Sequence, residues 1–105
     1  MLKSRFSKKV YSRNARIYKM LANAKRLEIL NTILDKKITV TEITKILGTR
    51  KANTSQHLMA LRKFGLVKRK RVGKFIYYSI IDPGLVEPCR ILKELYEEKR
   101  LGAIN

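Results

Sequence analysis

Acidic residues are scarce in this chain of 105 residues: eight Asp and Glu stand against 25 Lys and Arg, a formal charge of +17 at pH 7. That excess is more than solubility requires and favours a polyanionic partner, either nucleic acid or an anionic membrane face. Cysteine is almost missing. Cys89 alone excludes an intrachain disulfide and fits a reducing compartment. His57 is the single histidine, so a zinc site of three or four nitrogen and sulfur ligands cannot be assembled within one protomer. No apolar run approaches the ~20 residues that span a bilayer and no signal-peptide apolar region is visible, so a cytoplasmic location with no membrane partner is expected. Internal repeats, glycine-rich phosphate loops and nucleophile–base arrangements are absent as well. The few acids gather late in the chain, where Glu94, Glu97 and Glu98 are spaced as a solvated helix face opposite Lys93, Lys99 and Arg100. They do not read as a catalytic pair, so neither an enzyme nor a cofactor is expected.

What is present is helical periodicity broken only by short connections, and the length suits one domain over residues 1–105. So short a chain buries a limited share of its surface, which makes dimerisation a ready source of stability. Residues 1–26 hold nine Lys/Arg and no acid. After a disordered arm over about 1–5, the spacing of Phe6, Val10, Ile17, Met20 and Leu21 predicts an amphipathic helix over 6–21, basic on its outer side. Asn23 is placed to cap a second helix, with Leu27, Ile29, Leu30, Ile33 and Leu34 inward and Lys36-Lys37 at its end. Ile38-Thr39-Val40 is too short for an independent strand but can pair with a later hairpin. Thr39 and Glu42 fit a capping box for a third helix carrying Ile43, Ile46 and Leu47, and Gly48 suits its left-handed stop.

A fourth helix from about Arg50 to Phe64 completes a helix-turn-helix over 39–64. A basic hairpin over 66–81 follows, with Val72-Gly73 at its tip and Phe75 to Ile80 alternating as a half-buried strand. Asp82-Pro83 opens a loose turn over 83–87. Pro88 is expected to start a regular last helix over 88–101, since deeper inside it would remove a hydrogen bond. Ile91, Leu92, Leu95 and Tyr96 form that helix's apolar stripe. The expected fold is therefore mainly α with a small β-hairpin wing (α+β), a winged helix-turn-helix.

Stepping 100° per residue along the fourth helix separates two faces. Thr54, His57, Leu58, Ala60, Leu61 and Phe64 fall on the core side. Ala52, Ser55, Gln56, Met59 and Lys63 gather opposite, with Lys51 and Arg62 bordering them and no acid among them. Such a face suits base readout. Gln56 can pair bidentately with adenine, Ser55 can donate or accept, Arg50 or Lys51 can reach guanine or phosphate, and Ala52 allows close approach to a thymine methyl. Lys63 and Arg62 read equally well as solvated surface, and His57 as a structural histidine. In the hairpin, Lys68, Arg69, Lys70, Arg71 and Lys74 are placed for sequence-blind phosphate contacts, beyond the charge that protecting an edge strand requires. Residues 38–81 together hold ten Lys/Arg and only Glu42 as an acid, so double-stranded DNA is the expected partner.

Several segments resemble the ArsR/SmtB family of winged-helix repressors. Leu21 to Leu30 (LANAKRLEIL) is similar to that family's LADPTRLRIL opening, and Ser55-Gln56-His57-Leu58, Leu61-Arg62 and Gly65-Leu66-Val67 to its SQHLxxLRxxGLV signature. Tyr77-Tyr78-Ser79 and Asp82-Pro83 resemble the end of its wing and the lead into its last helix. The resemblance spans roughly residues 17–96. It implies a homodimer, joined through the first and last helices, that occludes promoters at an inverted repeat, with Lys51, Ala52, Ser55 and Gln56 at the family's DNA-contact positions. The family's metal sensors carry paired cysteines on the third helix or carboxylate and histidine ligands on the last. Neither set is here, so no metal site and a metal-independent binder are expected. Cys89 could meet its copy across a dimer axis as a disulfide or soft-metal site, with Arg90 favouring the thiolate, but a buried inert thiol is the preferred reading.

The leading function is thus a sequence-specific transcriptional regulator of the repressor type, with no obligatory small molecule. The alternative is a low-specificity DNA-coating architectural or chromatin protein, which the basic first helix favours. RNA binding lacks an RNP-like aromatic pair or a GxxG loop.

Overall fold

The computed structural model describes residues 2–102, and the order of elements is α1 (Lys8–Leu21), α2 (Ala24–Thr32), β1 (Ile38–Thr39), α3 (Val40–Leu47), α4 (Lys51–Lys63), β2 (Val67–Val72), β3 (Phe75–Ile80), a short 3₁₀ turn (Pro83–Val86) and α5 (Glu87–Glu97). The expectation of a winged helix-turn-helix is met. The expected arm over 1–5 begins with Met1, outside the described residues. Residues 2–7 run without regular structure into α1, tied to it where the Ser4 hydroxyl donates to the Tyr11 hydroxyl at 2.7 Å.

Local chemistry sets most boundaries. α1 begins at Lys8, two residues later than expected, because the Ser7 hydroxyl accepts from the Val10 amide and Phe6 instead packs edge-on to Tyr11, 6.0 Å away. Asn23 caps α2 by accepting from the Arg26 amide at 3.1 Å. α2 stops at Thr32, well short of Lys36-Lys37: Ile33 leaves the helix at φ −96°, ψ 6° and stays fully buried while the chain turns to deliver Ile38 to the sheet. The capping box of α3 forms in both directions, the Glu42 amide donating to Thr39 Oγ1 at 3.2 Å and the Thr39 amide to Glu42 Oε1 at 3.0 Å. Those bonds hold the exposed Glu42 carboxyl below its usual range. Gly48 ends α3 at φ 67°, a left-handed conformation that a side chain would strain.

The sheet is antiparallel in the order β1-β3-β2, with Ile38 opposite Tyr78 and Val67 opposite Ile80. The two-residue β1 is thus kept in place by the wing it pairs with. Pro88 is the second residue of α5, where no intrahelical donor is lost, so the helix starts one residue earlier than expected and ends at Glu97.

One core joins these parts: Ile29, Leu30 and Ile33 of the α2 region, Ile43 of α3, Leu58 and Leu61 of α4, and Leu66, Val67 and Ile80 at the base of the wing. Ile46 and Phe64, expected inward, are 58% and 41% exposed, because each lies at the rim of its helix's inner face. α5 has no buried residue, and its Ile91, Leu92 and Tyr96 lie open. Truncating Leu58→Ala should cost about 2–5 kcal/mol in urea denaturation, whereas Ile46→Ala should stay within about 0.5 kcal/mol of the parent.

Candidate nucleic-acid interface

α4 is anchored from beneath. Leu58 and Leu61 are fully buried, and Thr54, 1% exposed, is the one buried polar side chain among the described residues. Its hydroxyl donates to the Arg50 carbonyl at 3.3 Å and takes a 2.7 Å hydrogen bond from the Thr49 hydroxyl, so the polar group is satisfied while the first turn is fixed to the preceding loop. With that side locked, the opposite side can only face outward. Arg50, Lys51, Ala52, Gln56, Met59 and Lys63 are exposed and Ser55 is half-buried. Met59, at 69% exposure, is an apolar side chain standing in water amid polar neighbours. No side chain caps the start of α4, which leaves its first backbone N–H groups open to an acceptor such as phosphate oxygen.

His57 is held on the inner flank as expected. Arg26 Nε donates to His57 Nδ1 at 3.3 Å, while Arg26 Nη1 donates to the Met20 carbonyl at 3.2 Å. One guanidinium thus ties the end of α1 and the start of α2 to the middle of α4. Burial, and then the positive charge of Arg26, hold the imidazole below its ordinary value of 6.5. The sequence gives no hint of this partner, which lies 31 positions away.

Lys68, Arg69, Lys70 and Arg71 are all exposed on β2, the free edge of the sheet, and Lys74 stands beyond the tip at Gly73, whose φ of 63° allows the tight turn. A groove of about 650 Å³ runs between the two halves, with Thr41 and Lys51 on one wall and Lys74, Phe75 and Tyr77 on the other. It brings the start of α4 and the wing tip to one opening. Lys63 lies at the far end of α4, roughly 18 Å along the axis from Lys51, and does not share that groove. Lys25, not singled out from sequence, borders a small hollow of about 150 Å³ with Asn53 and Gln56, so the start of α2 also adjoins the outer side of α4.

Charge is segregated. Among the described residues the ion pairs are Lys25–Glu28, Arg90 with Glu87 and Glu94, Lys93–Glu97 and Arg100–Glu98. Glu42 is engaged at the α3 cap and Asp82 accepts from the Gly84 amide at 2.7 Å. Nearly every acid is therefore spoken for elsewhere, and no cation of α4 or the wing is paired with a carboxylate among the described residues. Cys89 is half-buried near the start of α5.

A helix-turn-helix with a cationic wing beside an acid-free outer helix face defines a winged helix-turn-helix DNA-binding regulator. Residues 23–69 match the family described as "Bacterial regulatory protein, arsR family". The transcriptional repressor PagR of Bacillus anthracis is 39% identical over 83 residues, spanning 78% of this chain and 83% of PagR. The transcriptional activator HlyU of Vibrio cholerae is 31% identical over 80 residues, 76% of this chain and 74% of HlyU. Reduced HlyU from the same species superposes with a TM-score of 0.74 at 29% identity, covering 85% of this chain and 94% of HlyU. A homodimeric winged helix-turn-helix DNA-binding domain from Mycobacterium bovis does so with a TM-score of 0.76 at 26% identity, covering 97% and 100%. This chain belongs to the ArsR family of DNA-binding transcriptional regulators. It is not an enzyme, and among the described residues no helix is long and apolar enough to cross a membrane.

The lowered His57 value carries a stability consequence. An unfolded chain protonates this imidazole more readily than the folded one, so its contribution is whole above the ordinary value of 6.5 and falls away as pH drops through the lower folded value. Thermal melts of His57→Gln should show a flatter pH dependence than the parent between roughly pH 5 and 7, the range in which histidine changes charge.

Proposed function

We propose that the chain acts as a homodimer that reads an inverted repeat through α4 and grips the flanking backbone through its wing, without a metal effector. The observation that carries this reading is the outer side of α4: Lys51, Ala52, Ser55 and Gln56 stand on a face that holds no acid, and Lys51 at its start lines a groove with wing residue Lys74. In it, Gln56 and Ser55 contact base edges, Ala52 and Met59 lie against thymine methyls, and Arg50, Lys51 and Lys63 reach guanine or the neighbouring phosphates. Lys68, Arg69, Lys70, Arg71 and Lys74 hold the backbone without reading sequence.

Homodimerisation is supported by the open stripe of Ile91, Leu92 and Tyr96 on α5 and by the homodimeric Mycobacterium bovis relative. The direction of regulation divides among relatives, since PagR is named a repressor and HlyU an activator. We favour repression, because two recognition helices on an inverted repeat occlude a promoter by position alone. Metal independence rests on the ligand inventory, one Cys and one His per chain. A DNA-coating role is the second reading, favoured by the nine Lys/Arg and no acid of residues 1–26.

Selection from random duplex DNA separates the two. A discrete inverted-repeat motif is expected, altered by Gln56→Ala; neutralising Arg69, Lys70 and Arg71 should leave the motif intact and reduce the salt exponent by about 3, at ~0.9 per lost phosphate contact. Absence of any motif would establish the coating role instead. Calorimetric titration of zinc or cadmium into the dimer should give no stoichiometric uptake, and tight uptake that releases DNA would refute metal independence.

A further inference from the structure

α1 carries more positive charge than its place in the fold uses. Lys8, Lys9, Arg13, Arg16 and Lys19 are all exposed, and none is paired with a carboxylate among the described residues. Arg13 follows Lys9 by four residues, Arg16 follows Arg13 by three and Lys19 follows Arg16 by three, spacings at which like charges repel on a helix. Lys8 and Lys9 also open the helix, where the backbone dipole disfavours cations. α5 shows the ordinary solution at similar spacings, with Arg90 set between Glu87 and Glu94 and Lys93 on Glu97. Nothing within the described residues offsets the repulsion on α1.

The cations are also placed on one side. At 100° per residue, with Lys8 at zero, Lys9, Arg13, Arg16 and Lys19 fall between about 20° and 140°, whereas half-buried Val10 and Ile17 and buried Leu21 lie near 180–220°. Asn14 and Tyr18 fall beyond the core stripe, where they line a hollow with Leu85 and Pro88 towards α5. The basic side faces the other way: Arg16, Lys19 and Met20 enclose a hollow with Phe64, the residue that ends α4. α4 thus has cations at both ends, with the wing's Lys74 beside Lys51 at its start and α1's Arg16 and Lys19 beside its close.

We propose that the Lys9–Arg13–Arg16–Lys19 side of α1 is a second phosphate-binding surface, which takes the duplex on the far side of the half-site from the wing. This rests on the DNA-reading role of α4 proposed above. In a dimer joined near α1 and α5, that stretch is the spacer between the two half-sites, so both copies of α1 neutralise the backbone at the centre of the operator. Lys9 and Lys19 lie ten residues apart on α1, about 15 Å along its axis, a length over which one strand of a duplex presents about four phosphates at ~3.4 Å each.

The test uses the full chain and the operator obtained by selection. Replacing Lys9, Arg13, Arg16 and Lys19 with Gln should leave the selected motif unchanged and reduce the salt exponent by roughly 3 to 4 per protomer, at ~0.9 per contact. Uncharged methylphosphonate linkages in the spacer should lower the wild-type exponent alike and leave that of the variant unaltered. A charge-preserving variant, Arg13→Lys with Arg16→Lys, should behave as wild type, and removing the repulsion should raise the melting temperature of the Gln variant. An unchanged exponent with the motif intact would overturn this proposal while sparing the readout role; loss of any motif in the wild type would remove the readout role itself. Binding to vesicles of mixed phosphatidylserine and phosphatidylcholine that the Gln variant loses, with its DNA exponent unchanged, would assign the surface to lipid and also overturn the proposal.

Discussion

The inner side of α4 bears the rest of the structure. Thr54, Leu58 and Leu61 are withdrawn from water against α2 and α3, and once they are seated the polar half of the same helix has only the solvent to face. At ~25 cal/mol per Å² of apolar surface, fully burying each leucine is worth roughly 1.5–3 kcal/mol, more than any single exposed ion pair contributes. Orientation of the outer face is therefore a by-product of packing. It does not depend on the outer side chains themselves.

Two further restraints sharpen that orientation. Thr49 and Thr54 lock the entry to α4, and Arg26 joins Met20 of α1 to His57 in its middle. The wing is fixed by the same core, since Leu66 and Val67 continue directly from α4 and Ile80 returns opposite Val67. Helix and wing are consequently built on one core, with Lys51 and Lys74 on opposite walls of the groove between them. Electrostatics supplies the long-range part: most acids are paired on α2 or α5 or spent on caps, leaving α4, the wing and α1 with positive charge that no carboxylate pairs among the described residues.

Much of this was legible in the residues because local rules decide it. Asn23, the Thr39–Glu42 pair and Gly48 mark helix ends through hydrogen bonds spanning three or four positions, and the structure makes each of those bonds. The division of α4 into two faces followed from periodicity alone. Misjudged features depended on distant partners. α2 ends at Thr32 because Ile33 and Ile38 must both reach the core, which overrides the pull of Lys36-Lys37 on the helix end. Phe64 lies partly exposed at the rim of α4, beside Arg16, Lys19 and Met20 of α1, and Pro88 fits at the second position of α5 after a 3₁₀ turn. The Arg26–His57 contact could not be anticipated, since nothing near either residue names the other.

NMR spectra of the labelled protein titrated with its selected duplex test the central claim most directly, by locating the DNA on the chain. Amide shifts are expected to concentrate at residues 9–19, 50–59 and 68–74, while the stripe at 91–96 stays in place. Shifts centred on α5, with residues 50–59 unmoved, would contradict it.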